Sequence, residues 1–239
     1  MGRAPVTPVV RQPLHYFTNR RLSSMKTYIH LSGAHHYPLP ANFGNDDVRY
    51  PESLVEYFIE EFTQKGDIVF DPFAGFGTTL VVAERMERVS YGMEIDQERV
   101  NFARSRIANP KRLIHGDARH LGGLDFPQFD FSMTSPPYMT RDNHPQYPFS
   151  GYRITGETYG DYLRDIRNIY AQLRARMKPS GKVVLEVANL KSEKHVTILA
   201  WDVAQEISQV FRFEGEVIVC WDQCAYGNDH TYCLLFSVQ

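Results

Sequence analysis

The sequence predicts an α/β fold in which helices connect the strands of a mostly parallel sheet. Three observations predict it. Helix-like and strand-like apolar segments alternate between about residues 51 and 187, a glycine-rich turn follows the first strand, and two β-rich runs close the chain around a turn. With 43% hydrophobic residues among 239 positions, the composition indicates one globular domain with a sizeable core.

The first half of the pattern begins with a helix. Apolar residues from Leu54 to Phe62 have helical spacing, Pro51 stands where a first turn favours proline, and Gly66 ends the segment. A βαβαβ unit follows: a strand at 67–71, a glycine-rich turn at 72–77, a helix at about 78–87, a strand at 89–94, a helix at about 97–108 and a short strand at 112–115.

The second half continues the alternation and then changes character. A strand at Phe129–Thr134 precedes a long amphipathic helix at Tyr159–Met177, which stops before Pro179, and a strand at Gly181–Val187 follows. A helix near 197–210 leads to two β-rich runs, Phe213–Trp221 and Thr231–Val238, on either side of Gly227-Asn228-Asp229. This ending predicts an antiparallel hairpin at the sheet edge.

Charge is unevenly distributed along the chain. The net charge is only −2, so the protein is not broadly basic as many nucleic-acid binders are, but residues 1–45 contain no acidic residue and five cations: Arg3, Arg11, Arg20, Arg21 and Lys26. We therefore divide the chain into a basic N-terminal arm at 1–45 and a single domain at 46–239. The arm is expected either to track a phosphate backbone or to be a disordered leader.

Composition also bounds the cellular setting. No apolar run approaches the ~20 residues that span a bilayer, and the amino terminus lacks an apolar signal segment. Cys220, Cys224 and Cys233 fit reduced thiols, so we expect a cytoplasmic protein. With His230 these cysteines match none of the usual zinc spacings, and we expect no metal.

The turn after the first predicted strand carries a cofactor signal. Asp71 ends the strand, and Gly75 and Gly77 let the backbone turn tightly and a ligand approach closely. Glycines alone are compatible with many cofactors. Asp71 would repel a pyrophosphate but suits the cationic end of S-adenosylmethionine, whose sulfonium can lie near the Phe73 ring, so a dinucleotide is disfavoured.

Two further acids end neighbouring strands. Glu94 lies about twenty residues after the glycines, where a carboxylate can accept hydrogen bonds from both ribose hydroxyls. Asp117 follows the third strand of the unit and is positioned to accept a hydrogen bond from an adenine amino group. The alternatives are a surface acid that opens the next helix for Glu94 and an ordinary turn residue for Asp117.

The sharpest feature is Ser135-Pro136-Pro137-Tyr138 at the end of the fourth strand. Pro136 has no N–H, so this loop offers carbonyl acceptors, and the Ser135 hydroxyl adds a rotatable one. Such acceptors can hold both hydrogens of an aromatic amine and make its nitrogen more nucleophilic, while Tyr138 stacks on the base. The alternative is an ordinary Pro-Pro loop.

These motifs resemble a known family. Asp71-Pro72-Phe73-x-Gly75-x-Gly77-Thr78-Thr79 together with Ser-Pro-Pro-Tyr is similar to the DNA amino-methyltransferases, which methylate cytosine N4 or adenine N6 with S-adenosylmethionine. The segment from Arg49 to Val55 resembles the family's stretch that closes over the methionine part of the cofactor. The likeness covers about residues 40–190, with the cofactor motif preceding the catalytic motif.

The resemblance implies a Rossmann-like seven-stranded methyltransferase sheet with a reversed C-terminal β-hairpin, and an enzyme of DNA methylation such as occurs in restriction-modification. It implies a catalytic loop of Ser135, Pro136, Pro137 and Tyr138. It also implies a cofactor site formed by Pro51, Ser53, Asp71, Pro72, Phe73, Ala74, Gly75, Gly77, Thr78, Thr79, Glu94, Ile95, Asp117 and Ala118. Within the family, Ser-Pro-Pro-Tyr favours cytosine N4, with adenine N6 or the same chemistry on RNA as alternatives and a non-catalytic nucleic-acid-binding subunit as a remoter one.

A small recognition region is expected at 139–160. It mixes aromatic and basic residues suited to backbone contact and base stacking, and we predict nucleic-acid contacts from Arg141, Tyr147, Tyr152 and Arg153, with His144 in the same stretch. The alternative for this region is a solvated lid over the active site.

Overall fold

The computed structural model describes residues 26–43, 49–141, 146–191, 195–225 and 228–238. Its elements are, in chain order, β1 (Tyr28–Leu31), α1 (Glu52–Phe62), β2 (Ile68–Asp71), α2 (Thr78–Arg85), β3 (Val89–Glu94), α3 (Gln97–Arg104), β4 (Leu113–His115), β5 (Phe129–Thr134), α4 (Tyr159–Arg174), β6 (Met177–Val187), β7 (Leu190–Lys191), β8 (Val196–Thr197), α5 (Leu199–Ile207), β9 (Arg212–Ala225) and β10 (Asn228–Ser237). Short 3-10 turns occupy several of the connections.

The main sheet has the strand order β1-β9-β10-β6-β5-β2-β3-β4. Strand β2 pairs in parallel with both β3 and β5, and β5 pairs in parallel with β6. Only β10 runs against its neighbours, since it is antiparallel to β6 and to β9. The α/β fold with a reversed C-terminal hairpin is thus confirmed.

The expected seven strands are present, but the sheet has an eighth. Strand β1 pairs in parallel with β9, with Tyr28 opposite Ile218 and Leu31 opposite Trp221. Residues 28–31 fall inside the segment that we predicted as an arm, so the end of that segment is part of the folded sheet. A strand of only four residues with no helix paired to it has too short a pattern to be recognised from the sequence.

The second correction concerns the start of β6. The helix predicted through Met177 ends at Arg174, and the strand predicted from Gly181 begins at Met177. Met177 already pairs with Phe129 of β5, ahead of an irregularity in the register. The longer strand therefore replaces the last helical turn because its backbone groups find partners in the sheet.

Helices cover both faces of the sheet. On one face α4 and α5 bury apolar residues such as Ile166 and Val203 against Phe70 and Phe129. On the other face α1 and α2 pack residues such as Phe58 against the opposite side of the same strands. The buried stripe of α4 has the predicted helical spacing, and the helix begins with a capping box between Thr158 and Asp161.

The topology creates a crevice at one edge. From β2 the chain runs outward through β3 and β4 and then returns to β5 on the other side of β2. Ligands of open α/β sheets bind outside the carboxyl ends of the strands at such a reversal. In the part of the chain that the structure describes, no helix is long and apolar enough to cross a membrane.

Candidate active site

A cavity of about 700 Å³ lies at the carboxyl ends of β2, β3, β4 and β5. Its lining brings together the predicted cofactor and catalytic motifs, which are far apart in sequence. The predicted residues that line it are Asp71, Pro72, Phe73, Ala74, Gly75, Thr78, Glu94, Ile95, Asp117, Ala118, Ser135, Pro136, Pro137, Tyr138 and Tyr152.

Asp71 lies at the bottom of this cavity and is almost completely buried, with 2% of its surface exposed. Its Oδ1 accepts hydrogen bonds from Thr134 Oγ1 at 2.6 Å and from the Phe73 backbone N–H at 2.9 Å. The Tyr50 hydroxyl donates to Oδ2 at 3.3 Å. Burial raises the pKa of Asp71 to about 6, although these donors lower it.

The glycine turn wraps around this end of β2. Gly75 and Gly77 have φ angles of +52° and +83°, in the left-handed region that favours glycine. A Cβ on Gly77 would lie 2.8 Å from the Ala103 Cβ, so the residue also allows α3 to pack closely. Gly77 and Thr79 do not line the cavity themselves: Gly77 shapes the turn, and the Thr79 hydroxyl hydrogen-bonds to the Tyr50 hydroxyl.

Glu94 closes the turn from the next strand. The backbone N–H groups of Gly75 and Asp96 donate to its two carboxylate oxygens, each at 2.8 Å. Burial raises the pKa of Glu94, and these donors lower it. Four acids and two cations line the cavity, which therefore favours a cationic ligand: Asp71, Glu94, Asp96 and Asp117 against Arg49 and Arg99.

Asp117 has a partner that the sequence did not suggest. The Arg119 guanidinium donates to both Asp117 oxygens, with Nη2 to Oδ2 at 2.7 Å, and Arg119 Nη1 lies 3.5 Å from Asp165 Oδ2. The Arg119 backbone N–H also donates to Asp117 Oδ1 at 2.9 Å. An adenine amino group at this position would share the carboxylate with Arg119.

The catalytic loop is held by a hydrogen-bond network around Tyr138. Ser135 Oγ donates to the Tyr138 hydroxyl at 3.2 Å, the Ala188 backbone N–H donates to it at 3.1 Å, and the hydroxyl donates to Glu186 Oε2 at 3.2 Å. This network fixes the plane of the Tyr138 ring at the cavity wall. Burial raises the pKa of Tyr138 well above its ordinary value, so the phenol stays protonated.

Glu186 is a site residue that the sequence analysis missed. It is 2% exposed and lies near the carboxyl end of β6 beside the catalytic loop. The signal was present, since Glu186 is an acid between Leu185 and Val187 in an otherwise apolar strand end. Glu186 belongs to the site because β6 is the neighbour of β5 in the sheet.

The segment before α1 contributes different residues from those predicted. Pro51 and Ser53 do not line the cavity; Ser53 Oγ donates to the Ser32 carbonyl instead. The residues that do line it are Arg49 and Tyr50, both 6% exposed. Arg49 Nη2 donates to the Tyr37 carbonyl at 3.1 Å, which ties the segment to the preceding loop.

The region predicted for recognition is partly a wall of the cavity. Phe149 is 4% exposed and stacks on Phe73 at 5.5 Å and on Tyr162 at 5.2 Å between ring centroids. Tyr147, for which we predicted a contact with nucleic acid, is packed inside the protein: it is 2% exposed, and its hydroxyl donates to Asp165 at 2.8 Å. No sequence signal separates a packed aromatic residue from an exposed one in such a loop.

The other three predicted nucleic-acid contacts are on the surface. Tyr152 is 38% exposed and lies at the cavity mouth, and Arg153 is exposed. Arg141 is exposed and paired with Asp202, with Nη2 to Oδ2 at 2.8 Å. The arm residues Arg3, Arg11, Arg20 and Arg21, together with His144, lie outside the described residues. Among those described, no cluster of three or more His, Cys, Asp or Glu could hold a metal ion.

Comparison with known families finds a match for the part of the chain that contains the glycine turn. Residues 19–105 match the model of a family described as DNA methylase, the N6/N4 group. Over this part of its length the chain is similar to the N6/N4 DNA methylase family. The match ends in the α3 region and therefore contains the glycine turn, Asp71 and Glu94 but not the Ser-Pro-Pro-Tyr loop.

Curated proteins that are similar to a segment of this chain include type II methyltransferases. M.BglII of Bacillus subtilis is 46% identical over 55 residues, which are 23% of this chain and 15% of that protein. M2.DpnII of Streptococcus pneumoniae is 41% identical over 64 residues, 27% of this chain and 24% of that protein. The matched segments thus span about a quarter or less of these relatives' own length.

Solved structures resemble this chain over most of its length. TrmN from Thermus thermophilus superposes with a TM-score of 0.59 at 17% identity, over 82% of this chain and 51% of that one. A TehB-like SAM-dependent methyltransferase from Corynebacterium glutamicum superposes with a TM-score of 0.51 at 13% identity, over 83% of this chain and 92% of that one. These similarities establish the fold.

Proposed function

We propose that this protein transfers a methyl group from S-adenosylmethionine to an exocyclic amine of a base in DNA. One observation carries the proposal: a single cavity is lined both by Asp71 and Glu94 and by the Ser135–Tyr138 loop. A cofactor site and an amine-holding loop on the same cavity are what a direct methyl transfer needs. The family of residues 19–105 and the names of the relatives support DNA as the substrate.

The residues present fit the cofactor. Asp71 and Glu94 give the site buried acidic charge, Gly75 lets the backbone approach a ligand, and Phe73 offers a ring face to a sulfonium. Arg49 adds a cation that suits a carboxylate. When bound, S-adenosylmethionine supplies an electrophilic methyl group on its sulfonium.

On the other side of the cavity the chain holds the amine. The Ser135 hydroxyl and the carbonyl groups near Pro136 are acceptors for its hydrogens, and the Tyr138 ring, fixed through its hydroxyl, provides a stacking surface. Holding both hydrogens favours a more tetrahedral and more nucleophilic nitrogen. The target base must leave the helix stack to reach this position.

Cytosine N4 is the target that we favour, because of Ser135 at the first position of the loop. The recognising surface is small: Tyr152 and Arg153 stand exposed by the mouth, and we infer that they contact the nucleic acid there. The arm predicted at 1–45 adds four arginines, Arg3, Arg11, Arg20 and Arg21, and is proposed to follow the phosphate backbone.

The test is incubation of the protein with labelled S-adenosylmethionine and separate unmethylated DNA and RNA pools, followed by nucleoside analysis. We expect N4-methylcytosine in DNA. N6-methyladenine would keep the DNA amino-methyltransferase activity and overturn the base assignment. Label in RNA alone would overturn DNA as the substrate, and label in neither pool would overturn the activity. Asp71→Asn is the variant that should abolish label in each pool.

A further inference from the structure

We propose that Glu186 is the final proton acceptor of a relay that begins at Ser135 and passes through Tyr138. This proposal rests on the proposed function, because methylation of an amine leaves a proton that must be removed. Glu186 acts through the two hydroxyls and is a positioning and proton-accepting residue rather than one that contacts the base.

The three groups form a continuous hydrogen-bonded chain with one direction. Ser135 Oγ donates to the Tyr138 hydroxyl at 3.2 Å, and that hydroxyl donates to Glu186 Oε2 at 3.2 Å. A phenol has one proton and two lone pairs, and the Ala188 N–H occupies one of those lone pairs. With Ser135 on the other, the only proton of Tyr138 points to Glu186, whose Oε2 lies at 3.2 Å and whose backbone carbonyl lies at 3.4 Å.

The same contacts are also compatible with hydrogen bonds that run in the opposite direction, from Glu186 to Ser135. If Glu186 is protonated, it donates to Tyr138, the Tyr138 proton turns to Ser135, and the Ala188 N–H keeps its lone pair. Tyr138 is fully hydrogen-bonded in both arrangements. Its pKa lies well above the ordinary value, so it passes a proton without resting as a phenolate.

Glu186 is placed to accept a proton. It is 2% exposed, and among the described residues its Oε1 has no hydrogen-bond partner. The groups facing it are the hydroxyls of Ser135, Tyr138 and Thr231 and the thiol of Cys233, which is paired with it across β6 and β10. Burial raises the pKa of the thiol well above its ordinary value, so every one of these neighbours is neutral at physiological pH. Burial also raises the pKa of Glu186, and its ionised form is a stronger base than an exposed carboxylate.

The acids that line the cavity accept hydrogen bonds from groups other than Ser135 and Tyr138. Asp71 accepts from Thr134 and Phe73, and Glu94 accepts from the backbone N–H groups of Gly75 and Asp96. Asp96 accepts from the backbone N–H groups of Glu98 and Arg99, and Asp117 is paired with Arg119. Glu186 is the carboxyl group that faces the Ser135 hydroxyl and to which Tyr138 links that hydroxyl by hydrogen bonds.

The step balances as follows. The amine nitrogen forms a bond to the methyl carbon while the carbon–sulfur bond breaks, and its electron pair stays on sulfur. The nitrogen, now cationic, gives a proton to Ser135 Oγ; the Ser135 proton moves to Tyr138, and the Tyr138 proton moves to Glu186. The products are a neutral methylated base, a thioether and a protonated Glu186, which loses its proton to solvent before the next turnover.

The first experiment measures single-turnover methyl transfer to DNA as a function of pH in the wild type and in Glu186→Gln. The amide keeps the shape and the hydrogen bond from Tyr138 but is not a base. We expect the variant to be about 10- to 100-fold slower, to lose the rise in rate with pH that reports ionisation of Glu186, and to bind cofactor and DNA as tightly as the wild type. Glu214→Gln, which removes a buried glutamate paired with Lys182 at 2.6 Å elsewhere in the sheet, is the control and should keep both rate and profile.

A second variant separates proton transfer from structural support. The Thr231 hydroxyl lowers the pKa of Glu186, so Thr231→Val should move the midpoint of the rate profile to higher pH and leave the plateau rate unchanged. A purely structural glutamate would not produce such a displacement. A Glu186→Gln profile identical to that of the wild type would overturn the relay and leave the proposed function standing.

The relay also has a test that needs no substrate. Infrared difference spectra between the wild type and Glu186→Gln isolate the carboxylic-acid band of Glu186, whose titration we expect to shift in Tyr138→Phe because the phenol is its hydrogen-bond donor. A titration that is the same in Tyr138→Phe would overturn the relay whatever the substrate is. If the wild type leaves DNA unmethylated, the proposed function fails, and this infrared measurement decides by itself whether the hydrogen-bonded chain exists.

Discussion

Thr134 Oγ1 donates a 2.6 Å hydrogen bond to Asp71 Oδ1 across the pair of strands β5 and β2. Thr134 is the residue before Ser135, so this bond links the start of the catalytic loop directly to the acid of the proposed cofactor site. Both residues are buried, and the bond is consequently little weakened by competing water. The two halves of the proposed site are therefore held in one rigid unit.

We predict that cofactor binding depends on pH through Asp71. Because the pKa of this carboxyl is about 6 in the free protein, it is increasingly neutral below that value and attracts a cationic ligand less. Affinity for S-adenosylmethionine, measured by calorimetry, should fall as the pH drops from about 7 to about 5. In Asp71→Asn the affinity should be low throughout, whereas the exposed-acid control Glu60→Gln should follow the wild type; an unchanged dependence in Asp71→Asn would contradict the assignment.

Asp71 should also shape stability in the absence of cofactor. The pKa of Asp71 is raised from 3.8 to about 6 in the folded protein. The free energy that protonated Asp71 contributes to stability is therefore fully present below the unfolded pKa and is lost as the pH rises through about 6. The loss amounts to about 3 kcal/mol at most. Urea unfolding at about pH 5 and about pH 8 should show a smaller decrease for Asp71→Asn than for the wild type, and equal decreases would refute the prediction.

Ser135→Ala should separate turnover from cofactor binding. We expect kcat to fall about 100-fold, because an acceptor for the amine is lost, while the dissociation constant of the cofactor changes less than about twofold. Ser132 is the control: it is buried on β5, the strand that leads to Ser135, its hydroxyl has no partner among the described residues, and Ser132→Ala should leave kcat unchanged. Equal losses of turnover and affinity in Ser135→Ala would reject the proposed role.

Phe149→Ala should loosen the wall of the cavity. The ring is buried between Phe73 and Tyr162, so its removal should lower the free energy of unfolding by about 3–5 kcal/mol and weaken cofactor binding. Ile154→Ala in the same loop removes a side chain that is 49% exposed and should change stability by less than about 0.5 kcal/mol. Chemical unfolding and calorimetry measure both effects; a Phe149→Ala variant that binds cofactor normally would show that the stack does not shape the site.

Asp117 and Arg119 can be distinguished by paired variants. If Asp117 accepts from the adenine, Asp117→Asn should weaken cofactor binding about tenfold, since hydrogen bonds to charged groups contribute about 1.5–3 kcal/mol. Arg119→Met removes the partner at 2.7 Å but leaves the carboxylate, and should weaken binding less. Equal losses would indicate that Asp117 serves only to hold Arg119.

The sequence determined the fold class, most of its elements and the two motifs of the site. Apolar periodicity predicted seven strands at nearly their observed positions, because each strand or helix must bury one face and the pattern records that face. The carboxyl ends of parallel strands share one edge, so Asp71, Glu94 and Ser135 were predicted to meet and do line one cavity.

The tertiary structure alone decided which side chains contact each other where the contact depends on strand order or on the packing of a loop. Glu186 reaches Tyr138 because β6 is the neighbour of β5, and Arg119 pairs with Asp117 because Asp117 caps the 3-10 turn that contains Arg119. Tyr147 is buried and Tyr152 is exposed although both are tyrosines of the same loop, five residues apart. Such contacts join residues that are distant in the chain or depend on one loop conformation, and local periodicity contains no information about either.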